Sequence, residues 1–173
     1  LVAILVLTLA WSIASTCEEL STGPWVIAQL GNELPLQWLP AITFVMAAVI
    51  SFSTGTSWGT MAILVPIIAP LAWTSPEEGI RFASLAGVLS GAIFGDHCSP
   101  ISDTTVMSSL ATGSDHIDHV RTQLPYGMVC GGVAVFVGFI PTGFGFPVWG
   151  SLIVGVALLI AAILFFGRKP LSN

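Results

Sequence analysis

The stretch GDHCSPISDTT, residues 95–105, constrains this chain more than any other. An apolar run, Phe82 to Phe94, precedes it, and another apolar stretch begins after the following loop. It carries Asp96, His97, Cys98 and Asp103 together with four hydroxyl side chains. Charged groups at membrane depth cost several kcal/mol unless they face a cavity, a partner or an ion. Gly95 and Pro100 predict a helix break. Pro100 lacks an amide hydrogen and clashes with the carbonyl four residues back, so the Asp96 carbonyl is expected to be free. Free carbonyls, carboxylates and hydroxyls at such depth are what a small hard cation needs to replace its water.

Composition sets the surroundings of that stretch. Of 173 residues, 54% are hydrophobic and only 8% charged, against about 25% charged in a typical soluble domain. The apolar runs are long and continuous, which predicts an all-α, polytopic helical membrane protein rather than a β-barrel. The net charge of −5 is spread over loops and the break, and no basic patch suggests nucleic acid as a partner. Cys17, Cys98 and Cys130 lie far apart, without metal-ligand or disulfide spacing. Leu1–Ile13 is apolar from the first residue, with no initiator Met and no basic flank, so a signal peptide is disfavoured. Residues 1–173 are therefore expected to be the C-terminal half of a secondary-transporter membrane domain, whose missing N-terminal half is a partner in completing the site.

Leu1–Thr16 reads as the end of a spanning helix, and 17–35 as a polar loop. Drawn as one straight helix, 36–73 would run about 57 Å at ~1.5 Å per residue, twice a bilayer core of about 30 Å. It must bend, and SFSTGTSWGT (51–60), with six hydroxyl residues and two glycines, marks the bend. A re-entrant helical hairpin and two full spans both satisfy the lengths. The hydroxyl density favours the hairpin, because irregular backbone inside the bilayer is tolerated only where it is buried or lines water. A helix over 80–94, the break and a short run over 104–111 follow, a broken transmembrane helix. TGSDHIDHVRTQ (112–123) is expected as a polar loop, then spans over 124–140 and 148–166. Arg121 and the Arg168–Lys169 pair flank those two spans, which puts them and the C-terminus on the cytoplasmic side by the positive-inside tendency.

A dehydrated Na⁺ or Li⁺ wants about five or six oxygens. The first break offers Ser53, Thr54, Thr56 and Ser57; the second offers Asp96, Ser99, Ser102, Asp103 and Thr104. The negative end of the 80–94 helix dipole also points into the break. The competing readings are plainer: Asp103 as the N-cap of a helix starting at Thr104, Asp96 as a hydrogen-bond acceptor for freed backbone, the hydroxyls as caps. Burial favours the neutral form of a carboxyl group, and a bound cation favours the ionised form. Ion and proton then compete for one site, the minimal machine for antiport. His97, His116 and His119 are candidates for pH sensing or proton relay, with a metal pair in DHIDH (115–119) as the other reading. An intramembrane hydrolase built on the two aspartates is a remote alternative, disfavoured because both lie in one break among hydroxyls. No resident cofactor is expected. Glycines 127, 131, 132, 138 and 155 read as close helix-packing positions.

SFSTGTSWGTMAILVP (51–66), SGAIFGDHCSPISDTTVMSS (90–109) and DHIDHVRTQLPY (115–126) closely resemble the C-terminal half of NhaC-type Na⁺/H⁺ antiporters, over roughly residues 20 to 141. The resemblance implies a secondary transporter of the bacterial cytoplasmic membrane exchanging Na⁺ or Li⁺ for H⁺, built from inverted repeats with re-entrant hairpins and broken helices. Asp96, Ser99, Asp103 and Thr104 fall on matching motif positions, as do Thr54, Gly55, Thr56 and Ser57. Some relatives couple Na⁺ to organic acids such as malate and lactate, or to amino acids, which is the main alternative. The lipid bilayer and the transported ions are the implied partners, and homodimerisation is left open.

Overall fold

In the computed structural model the described residues are 35–166, with Ser12, Ser15, Thr16, Glu19–Ser21, Trp25 and Ala28. The expected 1–16 helix and 17–35 loop lie mostly outside them, as do Arg168 and Lys169. Among the described residues every regular element is helical, as expected.

A 3₁₀ turn, Leu36–Trp38, leads into α1, Leu39–Thr54. Pro40 sits in the first turn of α1, where a missing amide hydrogen costs nothing. Gly55 ends the helix with φ at 67°, a left-handed conformation that glycine adopts without strain. The extended Thr56 then caps α2, Ser57–Ala72, accepting the Gly59 amide hydrogen on its hydroxyl at 3.3 Å. The 36–73 stretch is thus a helical hairpin with its tip at Gly55 and Thr56. Each arm has 16 residues, roughly 24 Å of helix.

Helix α3, Glu78–Cys98, runs 21 residues. It passes straight through Gly95 to Cys98, so the expected break comes four residues late. Gly95 serves packing instead. Gly87, Gly91 and Gly95, spaced four apart, lay one stripe of α3 on the backbone of α1: a Cβ on them would collide with the carbonyls of Pro40, Phe44 and Ala48 respectively. This contact was not anticipated, because the pattern lies inside a helix with few other polar marks. Buried hydroxyls stitch the same seam. Thr43 donates to the Ser84 carbonyl at 3.0 Å and Ser51 to the Ala92 carbonyl at 2.6 Å. Leaving such a buried group unpaired costs about 1–3 kcal/mol, so these bonds fix the register of α1 on α3. Ala47, Leu64, Ile68, Val88 and Ala92 fill the space between α1, α2 and α3.

After Ser99–Ser102 the chain resumes as α4, Asp103–Thr112, which ends on left-handed Gly113. The predicted polar loop at 112–123 is much shorter. Asp115 caps α5, His116–Val133, accepting amide hydrogens from Ile117 and Asp118 at 2.9 and 3.1 Å, so DHIDH opens a helix. Polar residues misled here because the first turns of a spanning helix stand clear of the apolar core. α5 continues through a π-helical segment, Ala134–Phe139, into α6, Ile140–Gly143. After a turn comes α7, Val148–Phe166. Of the glycines expected to pack closely, Gly127 and Gly131 do so on Cys98 and Phe94, whereas Gly132 and Gly138 meet nothing within 4 Å. Leu36–Thr54, His116–Gly143 and Val148–Phe165 are each long and apolar enough to cross a membrane. With most of the α7 surface exposed and apolar, the chain is a multi-pass helical membrane protein.

Candidate cation site at the helix break

The hairpin tip and the break of the α3–α4 helix meet. Gly55 lies against the Ile101 backbone: a Cβ at Gly55 would stand 2.9 Å from the Ile101 carbonyl oxygen. The Ser99 hydroxyl donates to the Phe52 carbonyl at 2.7 Å, tying the break to the last turn of α1. Two hydroxyl-rich segments distant in the chain are therefore held as one locus.

Asp96 is its centre. It lies in the last turn of α3 and is 7% exposed. The Ser102 hydroxyl donates to Oδ1 at 2.8 Å. Oδ2 accepts from Thr104 at 3.3 Å and from Ser57 at 3.5 Å, the last a long and weak contact. Ser102 and Thr104 are also 2.7 Å apart, so one of them can turn its hydrogen to the other. Among the described residues Asp96 has hydroxyl partners and no cationic one.

Helix ends shape the field. Asp96 sits at the negative end of α3, which disfavours its charge and favours a cation. Ser57 stands in the first turn of α2 and Thr104 in the first turn of α4, and these positive ends favour the carboxylate. A carboxylate, three hydroxyls and opposed helix termini form a compact oxygen cluster. A hydroxyl that donates to the carboxylate keeps lone pairs for another acceptor role, so the same atoms can face a proton-bearing carboxyl or a cation.

The other expected ligands stand elsewhere. Asp103 is exposed, and its carboxylate has no hydrogen-bond partner among the described residues. Neither does it cap α4, which begins at Asp103 with Ser102 in the cap position and no side-chain cap bond. Ser53 and Thr54 are exposed and donate to the Val49 and Ile50 carbonyls of their own helix, at 2.8 and 2.9 Å. Thr56 is the α2 cap, and Ser99 is the cross-link to Phe52. The Asp96 carbonyl, expected to be free, accepts the Ser99 amide hydrogen at 3.1 Å. The chain tightens to a three-residue turn before Pro100, and this recovers the bond proline cannot make.

His97 is exposed, while half-buried His116 and His119 sit on α5. His116 Nε2 lies 2.7 Å from the Pro100 carbonyl oxygen and Nδ1 3.1 Å from the Ser109 hydroxyl; His119 Nε2 lies 3.4 Å from the Ser108 hydroxyl. Among the described residues no three His, Cys, Asp or Glu side chains converge as a metal-binding group. Sequence reasoning missed Ser51 and Gln123. Ser51 belongs to the hydroxyl-rich bend and was legible there as a polar residue at the end of an apolar run. Gln123 carried no signal within its polar segment.

Residues 1–144 match the family model described as the Na⁺/H⁺ antiporter family. The chain is 40% identical over 164 residues, 93% of its length, to an uncharacterised protein of Haemophilus influenzae. It is 41% identical over 85 residues, 47% of its length, to the malate-2H⁺/Na⁺-lactate antiporter of Bacillus subtilis. It is 34% identical over 89 residues, 51% of its length, to the Na⁺/H⁺ antiporter NhaC of Alkalihalophilus pseudofirmus. These alignments span 31%, 17% and 19% of the relatives' lengths, so the chain spans under a third of each. No solved structure matches it. With the family model covering most of the chain, broken helix and hairpin included, this protein belongs to the Na⁺/H⁺ antiporter family.

Proposed function

We propose that the chain forms part of the C-terminal half of a transporter that exchanges Na⁺ or Li⁺ for H⁺ across the bacterial cytoplasmic membrane. The single observation behind this reading is buried Asp96, ringed by the hydroxyls of Ser57, Ser102 and Thr104 with no cationic partner among the described residues. A charge so placed needs neutralising, and either a proton or an alkali cation does it. Occupancy by one excludes the other, and alternate release to the two sides gives exchange. The second hairpin arm, α2, is at 16 residues shorter than the ~30 Å hydrocarbon core, which supports a re-entrant placement with the tip beside Asp96. Exposed Arg121, with Arg168 and Lys169, supports a cytoplasmic C-terminus. In everted vesicles carrying the intact transporter, added Na⁺ or Li⁺ should collapse an imposed pH gradient. A gradient indifferent to both ions would reject the reading.

A second reading has its own support. The identity of 41% is with a relative whose name includes malate and lactate, and half-helix N-termini such as that of α2 suit a substrate carboxylate. Uptake of radiolabelled malate driven by an imposed Na⁺ gradient would favour it over simple cation exchange.

A further inference from the structure

We propose that α5 is the clamp of the helix break, with His116 and Gln123 as positioning residues for the cation site. The inference rests on the reading of Asp96 as that site. Both side chains reach carbonyls that the break leaves without helical partners. Gln123 donates from Nε2 to the His97 carbonyl at 2.8 Å, at the end of α3. His116 does the same to the Pro100 carbonyl at 2.7 Å, within the break. The two residues are seven apart, two turns of helix, and so share one face of α5.

That face continues as Gly127 and Gly131. A Cβ on Gly127 would stand 2.7 Å from the Cys98 sulfur, and one on Gly131 2.7 Å from the Phe94 ring. α5 therefore lies close along the last turns of α3 and grips the break at both of its ends. Asp96 and Ser102, partners at 2.8 Å, bracket the two gripped carbonyls in sequence. If either carbonyl swings, the distance from Asp96 to Ser102 changes.

The His116 bond does not depend on the charge of the ring. Nε2 faces a carbonyl, which only accepts, so Nε2 carries a hydrogen in the neutral and the cationic form. Only the Ser109 side differs. Ser109 can give its hydrogen to Nδ1 or, at 2.8 Å, to the Val106 carbonyl, with Nδ1 then donating to Ser109. A side chain with a neutral N–H at the same reach should therefore serve.

The test uses the intact transporter in everted vesicles and reads the Na⁺ concentration giving half-maximal collapse of the pH gradient. His116→Leu and Gln123→Met should each raise it about three- to tenfold, the loss of one net hydrogen bond, with the maximal rate held within about twofold. His116→Gln should restore it. Unchanged half-saturation in both variants, or a fall in maximal rate alone, would overturn the clamp. Should the leucine variant fail to reach the membrane, Gln123→Met and His116→Gln decide on the same criteria. A second readout does not need exchange at all. With every cysteine of the transporter other than Cys98 replaced by serine, alkylation of buried Cys98 by a maleimide should accelerate in Gln123→Met. Unaccelerated alkylation would sink the clamp, whereas a wild-type transporter deaf to Na⁺ and Li⁺ would sink only the exchange reading.

Discussion

The Ser102 hydroxyl donates to the Asp96 carboxylate at 2.8 Å across the gap between α3 and α4. One side chain closes a helix that the backbone has opened. In the proposed exchange, a proton or cation held by the oxygen cluster must compete with or share that bond.

Asp96 and Asp103 should part company on mutation. Asp96→Asn removes the buried charge and should lower Na⁺-dependent exchange by about a hundredfold, the scale of lost charged hydrogen bonds. Asp103→Asn, on an exposed side chain without a partner among the described residues, should stay within about threefold of the wild type, as surface substitutions generally do. Initial rates of pH-gradient collapse compare the two.

Hydroxyls should separate by partner rather than by number. Ser102→Ala removes the bond to Asp96 and should raise half-saturating Na⁺ about tenfold. Ser53→Ala and Thr54→Val lose only bonds to carbonyls of their own helix, and half-saturation should not move. Titrations of exchange rate against Na⁺ settle the order.

Glycines divide the same way. Gly91→Ala drives a methyl into the Phe44 carbonyl of α1 and should cost about 1–3 kcal/mol or more, the usual penalty of overpacking. Gly132→Ala enters open space and should leave stability unchanged or slightly raised, since alanine is the better helix former. Melting temperatures of the purified transporter in detergent read both.

Gly55→Ala tests the joint between the hairpin and the break. It meets both the left-handed backbone and the Ile101 carbonyl at 2.9 Å. The strain alone is about 1–2 kcal/mol, and relief requires the tip to back away from the break. A fall in melting temperature together with higher half-saturating Na⁺ is expected; a fall in stability with unchanged half-saturation would detach the tip from the site.

Apolar run length and the two hydroxyl-rich interruptions made the hairpin, the break and Asp96 legible, because burying polar groups in apolar surroundings leaves a mark in any sequence. Asp103 looked equivalent to Asp96 by composition. What separates them is a turn of backbone: one lies at the buried end of α3, the other at the exposed start of α4. The Gly87–Gly91–Gly95 stripe and the Gln123 bond were illegible for a different reason. Each is defined by a neighbour far away in the chain, and no local pattern states which neighbour that will be.

The π-helical segment Ala134–Phe139 carries a consequence for the rod that contains it. Before it, the rod faces α3 through Gln123 and Gly127; at its far edge, Phe139 stacks on Phe44 of α1 with ring centroids 5.2 Å apart. The widened turn is a phase shifter: it sets the direction in which Phe139 leaves the rod relative to Gln123 and Gly127. Rewinding those six residues to ordinary α pitch, with none deleted, would rotate everything beyond by about 100°, turning Phe139 away from Phe44 while the grip on the break stayed in place.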